Sequence, residues 1–172
     1  MSRYHQQFDT PSSISNNNLQ KIINFYVLEC PVPEKSARGK KFDELGFVGS
    51  LAFNRLKKEM INAGTKSLKK YYIPCKQDGL ESTFKKVEIV SPPDEYCVFL
   101  KYDEDTVMQS LFSAIRNAFA HGSFNVKSYH GVRIYFLVNY KKYKKAQIVL
   151  QEKTLLSWIK LVQSGYSAMI SQ

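Results

Sequence analysis

The strongest constraint on the fold is the apolar pattern that precedes Gly122. Apolar residues recur there at three- and four-residue steps, which is typical of the core-facing side of an amphipathic helix: Met108, Leu111, Phe112, Ile115, Ala118 and Phe119. The acidic residues 103–105 suit a first helical turn, and Gly122 suits a left-handed stop. The sequence therefore predicts a helix from about Asp105 to His121.

The other side of this helix carries a polar stripe. Ser113, Asn117 and His121 stack on successive turns, and Arg116 lies on the adjoining flank, so we expect the stripe to face water, a ligand or a partner. The negative end of the helix dipole favours a protonated His121, and Asn117 can orient its ring. An arginine fork can hold phosphate oxygens while a histidine moves protons, so this grouping can cleave a phosphodiester without a metal.

The spacing of Arg116 and His121 leaves alternatives open. The two residues are about 140° apart on one helix, so a single chain brings them together poorly, whereas a two-fold pair of chains would supply both. The simpler alternative is that they are surface or cap residues that complement the helix dipole.

Further helices and strands are predicted on either side of this segment. An amphipathic helix starts at Leu19 and must end at Pro31-Val32-Pro33, and a longer helix reads from Asp43 to about Ala63. A final helix starts at Thr154, which can cap it. The predicted inward residues of the long helix are Leu45, Val48, Leu51, Ala52, Leu56 and Met60, and those of the final helix are Leu155, Trp158, Ile159 and Val162.

Strands are predicted mainly after the helix that ends at His121. Alternating apolar residues from Val132 and a second apolar run ending at Leu150 predict a β-hairpin at about 127–150. Between residues 65 and 103 the best strand candidates are Val87–Val90 and Tyr96–Lys101. The polar residues 1–18 are expected to form a frayed tail, and residues 19–172 are expected to form one domain.

The charge of the chain favours a polyanionic partner. Its 172 residues carry a net charge of +10 at pH 7, with a pI of about 9.4. The predicted hairpin tip offers cations for phosphates and a ring for unpaired bases, which makes it a candidate RNA contact: Lys141, Lys142, Tyr143, Lys144 and Lys145. The alternative is that these lysines deter aggregation at an exposed sheet edge.

Several function classes are not indicated by the sequence. No apolar run approaches the roughly 18 residues of a spanning helix, and the polar N-terminus does not resemble a signal peptide, so we expect a soluble, cytoplasmic protein without membrane contact. Cys30, Cys75 and Cys97 are too widely separated to suggest a disulfide framework or a zinc pair. Without a glycine-rich phosphate loop or metal-ligand spacing, no cofactor and no metal are expected.

The segment Ile115–Phe124, IRNAFAHGSF, resembles the Arg-x4-His signature of the HEPN superfamily. The hairpin-like stretch and the C-terminal segment LLSWIKLV resemble a prokaryotic subgroup found among plasmid and defence-island genes. The resemblance implies a mainly α-helical, dimeric bundle with a small β-hairpin insertion, and in active members a metal-independent endoribonuclease. It also implies that Arg116 and His121 are catalytic and that Asn117 assists them.

The same resemblance gives the predicted reaction and partners. Attack by the 2′-hydroxyl would leave a 2′,3′-cyclic phosphate and a 5′-hydroxyl. The long helix, from Asp43 to about Ala63, would lie beside the helix that carries the motif, so Arg55 on its polar face is a candidate RNA contact. The alternative is that Arg55 belongs to an ordinary solvated helix face. The biological setting would be a toxin with a possible antitoxin protein, or host defence. The alternative from another class is a catalytically inactive module that binds RNA or a protein.

Overall fold

The fold is built around a five-stranded mixed β-sheet. The computed structural model describes residues 17–32 and 38–171, of which 51% are helical and 21% lie in strands. The strands are β1 Tyr72–Cys75, β2 Tyr96–Leu100, β3 Phe124–Tyr129, β4 Val132–Tyr140 and β5 Lys144–Gln151, in the order β1-β2-β5-β4-β3. The prediction of a mainly α-helical bundle with one small hairpin is therefore wrong, because the sheet is the centre of the fold and not an insertion.

Helices cover both faces of this sheet. They are α1 Asn17–Ile23, which continues as a π-helix over Asn24–Glu29, then α2 Gly49–Asn62, α3 Lys66–Lys70, α4 Gln77–Val87, α5 Val107–Ala120 and α6 Glu152–Ile170. None of the helices in the described residues is long and apolar enough to span a bilayer.

Burial on both faces explains why a layered α/β fold forms. On the inner face, residues such as Tyr135 and Leu137 join the large core made with α1, α2, α5 and α6. On the outer face, Ile134 and Val149 join a smaller core made with α4. Because consecutive residues of β4 are buried on opposite sides, the strand needs cover on both.

The two ends of the sheet are defined by its registers. β1 pairs with β2 in parallel, and α4 is the crossover that such a pair requires. β3 and β4 are joined by His130-Gly131, both with positive φ (48° and 80°), as a two-residue type I′ hairpin turn requires. This turn lies at the opposite end of the sheet from the β4–β5 tip.

The predicted long helix from Asp43 starts too early. Gly46 and Gly49 have φ of +81° and +75°, outside the right-handed helical region, so the helix does not extend to the N-terminal side of Gly49. As a result, Val48 and Leu51 are 68% and 75% exposed rather than inward, while Ala52, Leu56 and Met60 are buried as predicted.

The other sequence predictions have mixed outcomes. The strand at 96–101 is confirmed, and so is a hairpin that ends near residue 150, although it starts at Val132 and not at about 127, because residues 127–131 belong to β3 and its turn. The strand at Val87–Val90 is wrong because Val87 ends α4. α6 starts before Thr154, which is buried inside the helix and is not its cap. Trp158 belongs to the core, where its Nε1 donates to the Met60 carbonyl at 2.8 Å. The predicted tail lies outside the described residues, apart from 17–18, which belong to α1.

Candidate functional site

The motif helix α5 is fixed at both ends by its own sequence. At its start, the Thr106 hydroxyl accepts from the backbone N–H of Gln109 at 3.1 Å, and the side-chain Oε1 of Gln109 accepts from the backbone N–H of Thr106 at 2.7 Å. This capping box sets the start at Val107, two residues after the predicted Asp105. The acidic residues 103–105 therefore precede the helix rather than forming its first turn.

At the other end of α5, His121 is the C-cap and Gly122 supplies the left-handed residue (φ 63°) that was predicted to stop the helix. The amide of Ser123 donates to the Ala118 carbonyl at 2.8 Å, and that of Gly122 donates to the Phe119 carbonyl at 3.1 Å. These are the two bonds of a Schellman motif. The backbone of His121 is thereby held at the helix end while its side chain is exposed.

The predicted polar stripe does not face solvent along its whole length. Nine of the fourteen residues of α5 are buried, and Ser113 is only 1% exposed. Arg116 and Asn117 are half-buried, and His121 is the one residue of the stripe that is exposed. The reason is that α5 lies between the sheet on one side and the π-helical segment on the other.

Arg116 and Asn117 are bonded to each other. Nη1 of Arg116 donates to Oδ1 of Asn117 at 3.2 Å, while its buried Nε has no hydrogen-bond partner among the described residues. The ring of His121 likewise makes no hydrogen bond within the described part of the chain. Asn117 thus orients the arginine in this structure and not, as the sequence suggested, the histidine.

The end of α5 and the β4–β5 hairpin tip lie at the same end of the sheet. The Val138 amide donates to the Ser123 carbonyl at 2.9 Å, and Phe124 pairs with Leu137. At about 3.4 Å per strand residue, the first residue of the tip is only ~10 Å along β4 from this bond. His121 and the lysine-rich tip therefore border one surface, which we call the tip end.

The four lysines of the tip form two pairs, one exposed and one held by contacts with neighbouring side chains. Lys141 and Lys142 are exposed. Nζ of Lys144 donates to Gln147 Oε1 at 2.8 Å and lies 4.6 Å from the centroid of the Phe84 ring. Nζ of Lys145 lies 5.4 Å from the ring centroids of both Tyr102 and Tyr143. The anchored pair shapes the tip, and the exposed pair is available to a ligand.

The sequence did not indicate Tyr102, and it predicted Arg55 beside the motif helix, where the structure does not place it. Tyr102 follows β2, and because Phe99 pairs with Ala146 at the start of β5, its ring reaches the tip end. The pairing of distant strands gives no local signal. Arg55 is exposed on α2, whose main neighbours are α3 and α6, so the packing does not bring it to the tip end.

A second polar cluster lies at the opposite end of the sheet. Glu152 accepts from the Tyr135 hydroxyl at 3.0 Å, from Asn18 Nδ2 at 2.9 Å and from Arg133 Nε at 3.2 Å. Burial, followed by the Glu152 carboxylate, raises the pKa of Tyr135 far above its usual value of about 10. Because the bonds of Glu152 reach residues of three elements, this cluster connects α1, β4 and α6.

Within residues 17–32 and 38–171, no group of three or more His, Cys, Asp or Glu side chains could hold a metal ion.

Comparisons of the chain with family models, curated proteins and solved structures find no match. The resemblance of Ile115–Phe124 to the HEPN signature therefore stays a prediction that depends on this motif. The helical bundle that it implied is not the fold observed.

Proposed function

We propose that the tip end binds RNA and that Arg116 and His121 cleave it without a metal. The observation that carries this proposal is the position of an exposed histidine at the same sheet end as the exposed Lys141 and Lys142. From Ser123 to Gln151 the chain has no acidic residue and six basic ones. A surface of this kind attracts the phosphate backbone and offers an imidazole that can accept or donate a proton.

The proposed reaction is an internal transfer at one phosphodiester. The 2′-hydroxyl oxygen attacks the adjacent phosphorus and loses its proton to a base, and the 5′-oxygen leaves with a proton from an acid. The products are a 2′,3′-cyclic phosphate and a 5′-hydroxyl. His121 fills one of these proton-transfer roles, and the guanidinium of Arg116 stabilises the charge on the phosphorus oxygens.

The second proton-transfer role calls for a second copy of the chain. His130, the other histidine of the described residues, lies at the far end of β3, about 20 Å away along the strand. A two-fold dimer that faces two tip ends toward each other would supply two His121 side chains to one phosphate. A toxin or defence role, and any antitoxin partner, are proposals that follow from the motif resemblance alone.

The second candidate function is RNA binding without cleavage. It is favoured by the bond between Arg116 and Asn117, which occupies the amide that would otherwise orient His121. In this case the lysines at the tip end bind the RNA backbone, and His121 is a surface residue.

Cleavage of RNA in EDTA separates the two candidates. We expect His121→Ala to lower the cleavage rate by about 10²–10⁴-fold, the usual contribution of a proton-transfer group. We expect Arg116→Ala to lower it by about 10²–10³-fold, as loss of one charge-stabilising donor does. The matched control is His130→Ala, which removes an exposed histidine from the opposite end of the sheet and should cut like the unmodified protein.

Product ends and binding complete this experiment. Cyclic phosphate ends that disappear in His121→Ala support the nuclease. Equal cutting by all variants indicates a contaminating nuclease and contradicts it. If no cutting is found but Lys141→Gln with Lys142→Gln weakens RNA binding, while Lys160→Gln on α6 does not, the binding function is supported instead.

A further inference from the structure

The outer face of the sheet is only partly covered by helix. α4 packs against β1 and β2 on this face, and its Phe84 contacts the Lys144 side chain at the start of β5. Beyond that point, over β3 and β4, Ile134 is buried but the face is otherwise partly accessible among the described residues: Lys127 is exposed, and Tyr129, Phe136 and Val138 are half-buried. We call these four residues the open face.

The open face combines aromatic rings with a cation. The ring centroids of Tyr129 and Phe136 are 6.4 Å apart, and Nζ of Lys127 lies 5.7 Å from the Phe136 centroid. Alternation along the strands points these side chains to one side, because Tyr135 and Leu137 are buried on the inner face. The result is a pair of neighbouring, partly accessible rings that pack against the smaller core.

The charge of the surrounding strands selects the kind of partner. β3, β4 and β5 contain no acidic residue. Of their basic residues, Arg133 is paired with Glu152, whereas the Lys127 ammonium lies near the Phe136 ring and makes no ion pair among the described residues. The strands are therefore complementary to a polyanion, and the rings offer π-faces for its bases.

We propose that the open face binds single-stranded RNA by stacking bases on Phe136 and Tyr129 while Lys127 contacts a phosphate. This inference rests on RNA being the partner in the proposed function. Unpaired bases can stack on exposed rings, whereas the bases of a duplex are already stacked, so a single strand is the fitting form. β4 runs from the open face to the tip end, so one strand of RNA can occupy both.

The experiment measures fluorescence anisotropy of a short, mixed-sequence RNA, single-stranded or annealed to its complement. Phe136→Leu keeps apolar volume but removes the ring, and we expect it to weaken single-strand binding roughly five- to a hundredfold. Lys127→Gln should lower the slope of log affinity against log salt by about 0.7. Lys160→Gln, an exposed lysine on α6 across the sheet, is the control. Emission of Trp158, the single tryptophan, verifies that each variant is folded.

The outcomes separate this inference from the nuclease. If Phe136→Leu and Lys127→Gln bind the single strand as tightly as the unmodified protein, the open face is not an RNA site, whatever His121→Ala does to cleavage. If both bind weakly while His121→Ala still cuts, the inference stands and the nuclease assignment falls. Equal effects on duplex binding, or conversion of a dimer to a monomer by Phe136→Leu in sedimentation, would overturn it, the latter by assigning the face to a second copy.

Discussion

Replacement of Glu95 by glutamine should destabilise the fold by about 2 kcal/mol, although only one atom changes its chemistry. Glu95 is fully buried, and its two carboxylate oxygens accept from two backbone amides. Oε2 accepts from Thr65 at 2.6 Å, and Oε1 accepts from Gln151 at 2.7 Å. One side chain thereby joins the loop before α3 to the junction between β5 and α6.

The magnitude follows from these two bonds. A hydrogen bond to a charged group contributes about 1.5–3 kcal/mol, and glutamine keeps one acceptor while turning an NH₂ group toward the other amide. Because the charge also costs desolvation energy, the net loss for Glu95→Gln lies near the lower half of this range. Glu95→Ala leaves both amides unpaired and adds a cavity, so we expect a loss of about 3–5 kcal/mol.

The assay is urea unfolding followed by emission of Trp158, whose indole lies in the core. The control is Glu81→Gln on the exposed side of α4, which should change the unfolding free energy by less than about 0.5 kcal/mol. If Glu95→Gln matches this control, the two bonds do not stabilise the fold and the reasoning is wrong. Because Glu95 is fully buried and its partners lie outside both the tip end and the open face, RNA binding per folded molecule should not change.

Three further predictions test other parts of the structure. Gly165→Ala should lower the free energy of unfolding by about 1–2 kcal/mol in thermal unfolding, because φ is +77° and the added Cβ would lie 3.0 Å from the Leu45 carbonyl oxygen. The control is Gly79→Ala inside α4, where the added Cβ meets no atom within 4 Å; it should raise that free energy by about 0.5–1 kcal/mol. Burial, and then the neighbouring Glu95 charge, raise the pKa of the Cys97 thiol, so iodoacetamide should label Cys97 only after unfolding, as peptide mass spectrometry would reveal. Burial raises the pKa of Tyr135, so its phenol stays protonated in the folded state, whereas in the unfolded chain it ionises near pH 10. The contribution of Tyr135 to stability is therefore full below about pH 10 and is lost as the pH rises above it, so the urea midpoint of unfolding should decrease there.

The sequence predicted those elements whose signals lie within a few neighbouring residues. α5 was predicted to within two residues at its start because its apolar period and Gly122 both act within a few turns. The β4–β5 hairpin was predicted for the same reason, since a short turn joins its strands. β3 was missed because it is an edge strand whose Asn125, Lys127 and Ser128 are exposed, so it shows little apolar alternation.

The fold class was missed because it depends on contacts between distant residues. β1 has only four residues, and its parallel pairing with β2 is made through α4 rather than through a turn. Val87, Ile89 and Val90 suggested a strand by residue type, yet Val87 packs from the last turn of α4 and Ile89 is 76% exposed. β-propensity describes fitness for a half-buried pleated surface, which a helix facing a sheet also provides.

The candidate site likewise combines features that the local sequence predicts with features that depend on distant contacts. The motif spacing gave Arg116 and His121, but their environments come from the fold: Arg116 is half-buried and bonded to Asn117, while His121 sits exposed on a Schellman motif at the tip end. Arg116 lies about 7.5 Å before His121 along the α5 axis and about 140° away around it, so one chain does not present both side chains to a phosphate from the same direction. The proposed cleavage therefore depends on a second copy, and a variant that stays monomeric should bind RNA through the tip lysines without cutting it. A monomer that cuts as fast per chain as the dimer would show that one Arg116 and one His121 suffice.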